Sequence, residues 1–230
     1  MPSIAANGID IEYEDLGARH APVILLIMGL GAQLIYWPDA LCHGLAEDGF
    51  RVIRFDNRDV GLSSKMEHAG MPDLASAAAN AMRGRRVAAS YDLFDLAADA
   101  VGLLDALDIE QAHIVGLSMG GMIAQIIAAR HGERTISLTS IMSSTGRRGL
   151  PDPQRDAFNT LMAPRPDGSD RQAAIDHLVN IAHHVVSPGF RPSEQEIREK
   201  QERIFDRCYY PVGLSRHFLA ILASGSREQM

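Results

Sequence analysis

The stretch His113-Ile114-Val115-Gly116-Leu117-Ser118-Met119-Gly120-Gly121 decides how this chain is read. It begins as an apolar strand and continues, without a break, into Met119 to Arg130, which has helical patterning and is followed by Gly132 as an expected C-terminal cap. Between the two lies G-x-S-x-G. In a strand-turn-helix setting this pattern makes a sharp turn that holds the serine hydroxyl above the sheet edge. Gly116 and Gly120 are expected to lack side chains because any Cβ there would meet neighbouring backbone. The Met119 amide would sit at the helix N-terminus, where unpaired N–H groups and the helix dipole favour an oxyanion. The bland alternative is that small residues merely allow close helix-strand packing.

Outward from this turn, strands and helices alternate. Ile9 to Glu14 alternates apolar and acidic residues, as a half-exposed strand does. Val23 to Met28 is apolar throughout and reads as a strand buried on both faces. A helix from Pro38 to about Asp48 and a strand at Arg51–Phe55 follow. Asp92 caps a helix with Leu93, Leu96, Ala97, Ala100, Leu103, Leu104 and Leu107 on one stripe. Ile136 to Met142 is the last predicted strand. The alternation predicts an α/β fold, a mostly parallel sheet with helices on both faces.

The pattern changes after Ser143. Seven of the 11 prolines lie between Pro151 and Pro211. The segment reads as helices at about Arg171–Val186, after Ser193-Glu194-Gln195-Glu196 (a capping box), and at about Val212–Ala223. The expected organisation is a core over 1–145, a helical cap over 146–224, and the start of a return to the core at 225–230.

Composition narrows the function. The 230 residues are 46% hydrophobic and 22% charged, ordinary for a globular chain. A net charge of −7 disfavours a general nucleic-acid binder. Cys42 and Cys208 make no disulfide scaffold and suit a reducing compartment. Neither a signal peptide nor a membrane span is read, so the expected location is the cytoplasm.

Residues 20–145 resemble the α/β-hydrolase fold. The likeness rests on Met28-Gly29-Leu30-Gly31-Ala32-Gln33, on Phe55-Asp56-Asn57-Arg58-Asp59-Val60-Gly61-Leu62-Ser63, and on the Ser118 turn. It is strongest toward the bacterial carboxylesterases that include the anthracycline (aclacinomycin) methylesterases. The resemblance implies that Ser118 attacks an ester carbonyl and that an acyl-enzyme forms and is hydrolysed. It also implies that the Leu30 amide supplies the second oxyanion donor beside Met119, and that Asp56–Ser63 is a structural turn with Arg58 and Asp59 in loop hydrogen bonds. In such enzymes an acid and then a histidine follow the serine. Here His131, His177, His183, His184 and His217 follow it, none in a recognisable post-strand loop, and Ile141 to Gly149 contains no Asp or Glu. The chain therefore resembles a hydrolase that stops before its acid and base, with both expected beyond residue 230 and the last strands of the sheet missing.

Rival readings are weaker. Gly29-Leu30-Gly31 after a strand imitates a dinucleotide turn, but Leu34 replaces the third glycine and Trp37-Pro38 delays the helix. His183 and His184 point about 100° apart on a helix, so no metal site is expected. Arg83, Arg85 and Arg86 read as an exposed loop. Gln33 to Trp37 could line a pocket or simply pack. The expected partner is a small-molecule ester, with no cofactor. An inactive fragment or a small-molecule binding protein is the alternative. Ile136 to Met142 carries no charge and no proline, so an exposed sheet edge there is expected to promote self-association.

Overall fold

The computed structural model describes residues 1–147, 149–151 and 154–225. It contains strands β1 (Ser3–Ala6), β2 (Ile9–Leu16), β3 (Val23–Ile27), β4 (Arg51–Phe55), β5 (Ala112–Leu117) and β6 (Thr135–Ile141). The helices are α1 (Asp39–Glu47), α2 (Leu74–Met82), α3 (Leu93–Ala106), α4 (Met119–Arg130), α5 (Arg155–Leu161), α6 (Arg171–Val185), α7 (Glu194–Arg207) and α8 (Pro211–Ser224). The strands form one sheet in the order β1-β2-β4-β3-β5-β6. β1 and β2 pair antiparallel, as do β2 and β4, and the other pairs are parallel. The predicted α/β class holds.

Strand alternation explains the two-sided core. Val23, Leu25 and Ile27 of β3, with Ile53, Phe55 and Ile114, point to one face, where they meet α3, α4 and Ala220 of α8. Ile24, Leu26 and Val52 point to the other, where they meet Cys42 of α1 and Trp37. A strand buried on both faces cannot alternate polar and apolar residues. Each fully buried Leu or Ile contributes about 1.5–3 kcal/mol relative to exposure. α3 starts where predicted: the Asp92 side chain accepts from the Phe94 and Asp95 amides, and Asp95 reaches back to the Asp92 amide.

β4 carries two arginines into the sheet. Both are buried, and the acids of β2 meet them: Arg51 pairs with Asp15, and Arg54 with Glu14 and with Asp39 of α1. The acidic alternation of β2 thus serves cross-strand pairing.

The chain divides into two compact units, whose described residues are 1–147 with 212–225 in one and 149–151 with 154–211 in the other. The expected helical insertion over 146–224 therefore runs too far: α8 groups with the sheet, because Ala220 and Ile221 join the core under α3 and α4. Most of the expected return segment, residues 226–230, lies outside the described residues. In the second unit, Ile175 and Val179 of α6 pack on Ile197 of α7, and Arg171 bridges to Asp206. Gly132 is not the cap of α4: the helix ends at His131, and Gly132 opens a short 3-10 turn without a positive φ.

Candidate active site

The winding of the sheet fixes where a site can form. The chain passes from β3 to β4 on one side, then crosses to β5 on the other side of β3. The C-terminal ends of β3 and β5 therefore lie side by side where the winding reverses, the place where open α/β sheets form a crevice. The loop after β3 is Met28–Gln33, and the residue after β5 is Ser118.

Ser118 has φ 56° and ψ −118°, a backbone conformation that strains any residue with a Cβ. Several bonds hold it there. Its amide donates to Ile141 O at 2.9 Å. Its carbonyl accepts from the Gly121 and Met122 amides at 2.9 and 3.2 Å and from Ser143 Oγ at 2.7 Å. The glycines do what the sequence predicts. A Cβ on Gly116 would stand 2.1 Å from Gly120 O, and one on Gly120 would stand 2.1 Å from Ile27 O. Ser118 is half-buried, and its hydroxyl makes no hydrogen bond with any described residue.

The loop after β3 lies against this turn. A Cβ on Gly29 would be 3.1 Å from Ser118 Cβ and 3.7 Å from the Met119 nitrogen. The structure thus brings together Gly29-Leu30 and Ser118-Met119. Among the described residues, neither the Leu30 nor the Met119 amide N–H has a hydrogen-bond partner.

The segment after β4 holds the loop in place. The Leu34 amide donates to Asp56 Oδ1 at 2.7 Å, and Asn57 Nδ2 donates to Met28 O at 3.1 Å. Ser63 Oγ donates to Asp56 O. Arg58 and Asp59 reach further than loop hydrogen bonds. Arg58 forks onto Asp99 of α3 with two 2.6 Å bonds, and burial pushes the Asp99 carboxyl up against that pull. Asp59 accepts from Tyr91 Oη and from Arg216 of α8, both at 2.8 Å. Of the stretch at Gln33–Trp37, Gln33, Leu34, Ile35 and Trp37 are buried. Arg83, Arg85 and Arg86 are exposed, as expected.

His217 of α8 is the residue that sequence reasoning missed. It is fully buried, and both ring nitrogens are occupied. The Gly31 amide donates to Nδ1 at 3.2 Å, and Nε2 donates to Arg58 O at 2.7 Å. These two contacts fix the neutral Nε2–H tautomer. Burial pushes its pKa down to about 4; the Arg58 carbonyl and Asp59 oppose that shift and the Arg58 charge adds to it. Its partner Gly31 is a left-handed residue (φ 63°) in the loop, and no local pattern in the sequence links the two.

Among the described residues no group of three His, Cys, Asp or Glu could hold a metal ion, and no helix is long and apolar enough to cross a membrane.

A strained serine between a parallel strand and a helix, with a second loop at the switch point, defines the α/β-hydrolase class, and the chain belongs to that family. Residues 22–188 match the family described as alpha/beta hydrolase fold. The chain is similar to rhodomycin D methylesterase DauP of Streptomyces sp. (strain C5), 29% identical over 192 residues, which cover 75% of this chain and 58% of that protein. It is also similar to rhodomycin D methylesterase DnrP of Streptomyces peucetius, 34% identical over 144 residues, 62% of this chain and 42% of that one. The chain spans about half the length of these curated relatives. Among solved structures it resembles the enol-lactonase from Burkholderia xenovorans LB400, with a TM-score of 0.67 and 25% identity over 96% of this chain and 74% of that one. These matches bear out the family and branch that the motifs predict.

Proposed function

We propose that this chain is the nucleophile-bearing part of a serine hydrolase acting on a small carboxylic ester. The observation that carries the reading is the strained backbone of Ser118. A protein that only binds its ligand has no need to hold a serine in a conformation that costs about 1–3 kcal/mol. The names of the relatives, two methylesterases and an enol-lactonase, favour an ester or lactone carbonyl. Ser118 Oγ attacks that carbonyl, and an acyl-enzyme forms and is then hydrolysed by water. The amides of Leu30 and Met119, which have no hydrogen-bond partner among the described residues, receive the oxyanion, as backbone N–H donors do in acyl transfer.

The base is assigned outside residues 1–230. His217 has no free nitrogen to offer, and no described residue reaches the Ser118 hydroxyl. The matching acid is placed with it.

A fluorophosphonate probe tests the reading, because its covalent capture needs the serine itself. The 230-residue chain should label slowly, at Ser118, and Ser118→Ala should abolish the adduct. An adduct that survives Ser118→Ala, or a chain that never labels, overturns the assignment.

A further inference from the structure

We propose that His217 is a positioning residue for the oxyanion loop, holding the Leu30 amide in place by tying the adjacent Gly31 amide to the Arg58 carbonyl. The proposal rests on the serine-hydrolase reading above and adds a residue to it. Met28–Leu34 is held at its two ends by the turn after β4, through Asn57 at Met28 O and Asp56 at the Leu34 amide. Inside the loop, the Ala32 amide donates to Gly29 O at 3.1 Å. There Gly31 takes a left-handed φ of 63°, and the Leu34 end does not dictate which way the Leu30–Gly31 peptide faces.

α8 supplies a further constraint, at the Gly31 amide. A Cβ on Gly31 would stand 2.9 Å from Leu214 Cβ, so the helix presses directly on the loop. His217 lies three residues on, on the same face, and accepts the Gly31 N–H at 3.2 Å. Its other nitrogen is anchored on Arg58 O at 2.7 Å, and Tyr91 packs edge-on against the ring. The ring therefore cannot swing away without breaking a buried hydrogen bond. If Gly31 N–H lost this acceptor, the Leu30–Gly31 peptide could turn about the Leu30 Cα–C bond, and Leu30, whose own N–H belongs to the preceding Gly29–Leu30 peptide, could shift and carry that N–H away from its place beside Ser118. Pre-organised donors work only when fixed, so a loosened loop costs transition-state stabilisation more than ground-state binding.

The interaction needs an unprotonated Nδ1. The titratable and charged groups around the ring are Arg58 and Asp59 on the turn, Tyr91 ahead of α3, and Arg216 beside it on α8. Burial among them keeps the imidazole neutral down to about pH 4.

The test uses the 230-residue chain as wild type, His217→Leu and His217→Gln. Hydrogen exchange reads the Gly31 amide, and fluorophosphonate modification reads Ser118. His217→Leu should speed Gly31 exchange roughly tenfold. It should also lower the maximal modification rate by about tenfold or more, less than the 10²–10³ of deleting a donor outright, with the half-saturating probe concentration unchanged. His217→Gln, whose amide carries one acceptor and one donor, should restore both. A folded His217→Leu that exchanges or labels like wild type overturns the proposal. If that variant does not fold, the pH series decides: modification should fall near pH 4 in wild type and not in His217→Gln, and parallel profiles overturn the proposal. Absence of Ser118 labelling in wild type refutes the serine-hydrolase reading instead, and Gly31 exchange then decides whether His217 holds the loop.

Discussion

Arg216 Nη1 donates to Asp59 Oδ1 at 2.8 Å across 157 positions of sequence, and both side chains are buried. The contact joins α8 to the turn after β4. That turn in turn holds the loop after β3 through Asp56 and Asn57. Asp59 is saturated: Tyr91 Oη, the Met66 amide and Arg216 all donate to it. Arg216 also donates to Gly70 O. A buried pair of this kind adds little net stability relative to apolar residues, but it is costly to break from one side.

Removing one partner should therefore cost more than removing both. Arg216→Met leaves the Asp59 charge buried and should lose about 3–5 kcal/mol in urea unfolding. Adding Asp59→Asn to that variant should recover part of the loss, because no unpaired charge remains, and Asn suits the left-handed φ of 63° at this position. A double variant as unstable as the sum of the two single changes would show that the charges do not interact.

The glycines of the Ser118 turn should separate from glycines elsewhere. Alanine at Gly116 or Gly120 places a Cβ 2.1 Å from a carbonyl oxygen, and backbone must move to admit it. Each should cost at least about 3 kcal/mol or prevent folding. Gly44, inside α1, has nothing within 4 Å of a built Cβ. Gly44→Ala should instead raise stability by about 0.5–1 kcal/mol, the helix-propensity gain. Equal melting temperatures for Gly116→Ala and wild type would remove the steric argument for the turn.

The parts legible in sequence are those fixed by local chemistry. The bounds of α4 follow from the Ser118 turn at one end and the end of apolar patterning at the other. The start of α3 follows from Asp92, and that of α7 from Ser193 with Glu196. β1 escaped because four residues carry too little period, and α2 because nine mostly alanine residues, Leu74–Met82, offer large apolar side chains only at their two ends. The role of His217 could not be read at all. In sequence it is one of four histidines in a helical region, and its meaning depends on Gly31 and Arg58, which are 186 and 159 positions away.

The stability of the chain should fall as the pH drops from about 6.5 toward 4, and His217 should account for a share. Its pKa is pushed from 6.5 to about 4 by burial, so in this window the unfolded chain binds a proton that the folded one does not. Stability therefore rises with pH here: the contribution is fully present above 6.5 and is lost as pH falls through the folded value. A shift of this size corresponds to about 3 kcal/mol. Urea unfolding at pH 7 and pH 4.5 should show wild type losing about 2–3 kcal/mol more than His217→Gln, which has no such proton to take up. Equal losses in the two proteins would mean that His217 does not carry the depressed pKa.

β6 ends the sheet, and from Ile136 to Ile141 each of its residues is exposed. Ile136, Leu138 and Met142 present 48%, 41% and 68% of their surface. On the outer side its N–H and C=O groups have no neighbouring strand among the described residues. An apolar edge of this kind, without charge or proline, is a template for pairing with another strand, and a second copy of the same chain offers one. The 230-residue chain should therefore self-associate at micromolar concentration, through β6. Leu138→Lys, placing a charge on the edge, should shift light-scattering mass toward 25.0 kDa. Leu41→Lys is the control: Leu41 is as exposed, at 42%, but sits on α1, where backbone groups are already paired. If both lysine variants reduced association equally, general hydrophobicity rather than the strand edge would be responsible. A monodisperse 25.0 kDa wild type would show that the edge is quiet in solution.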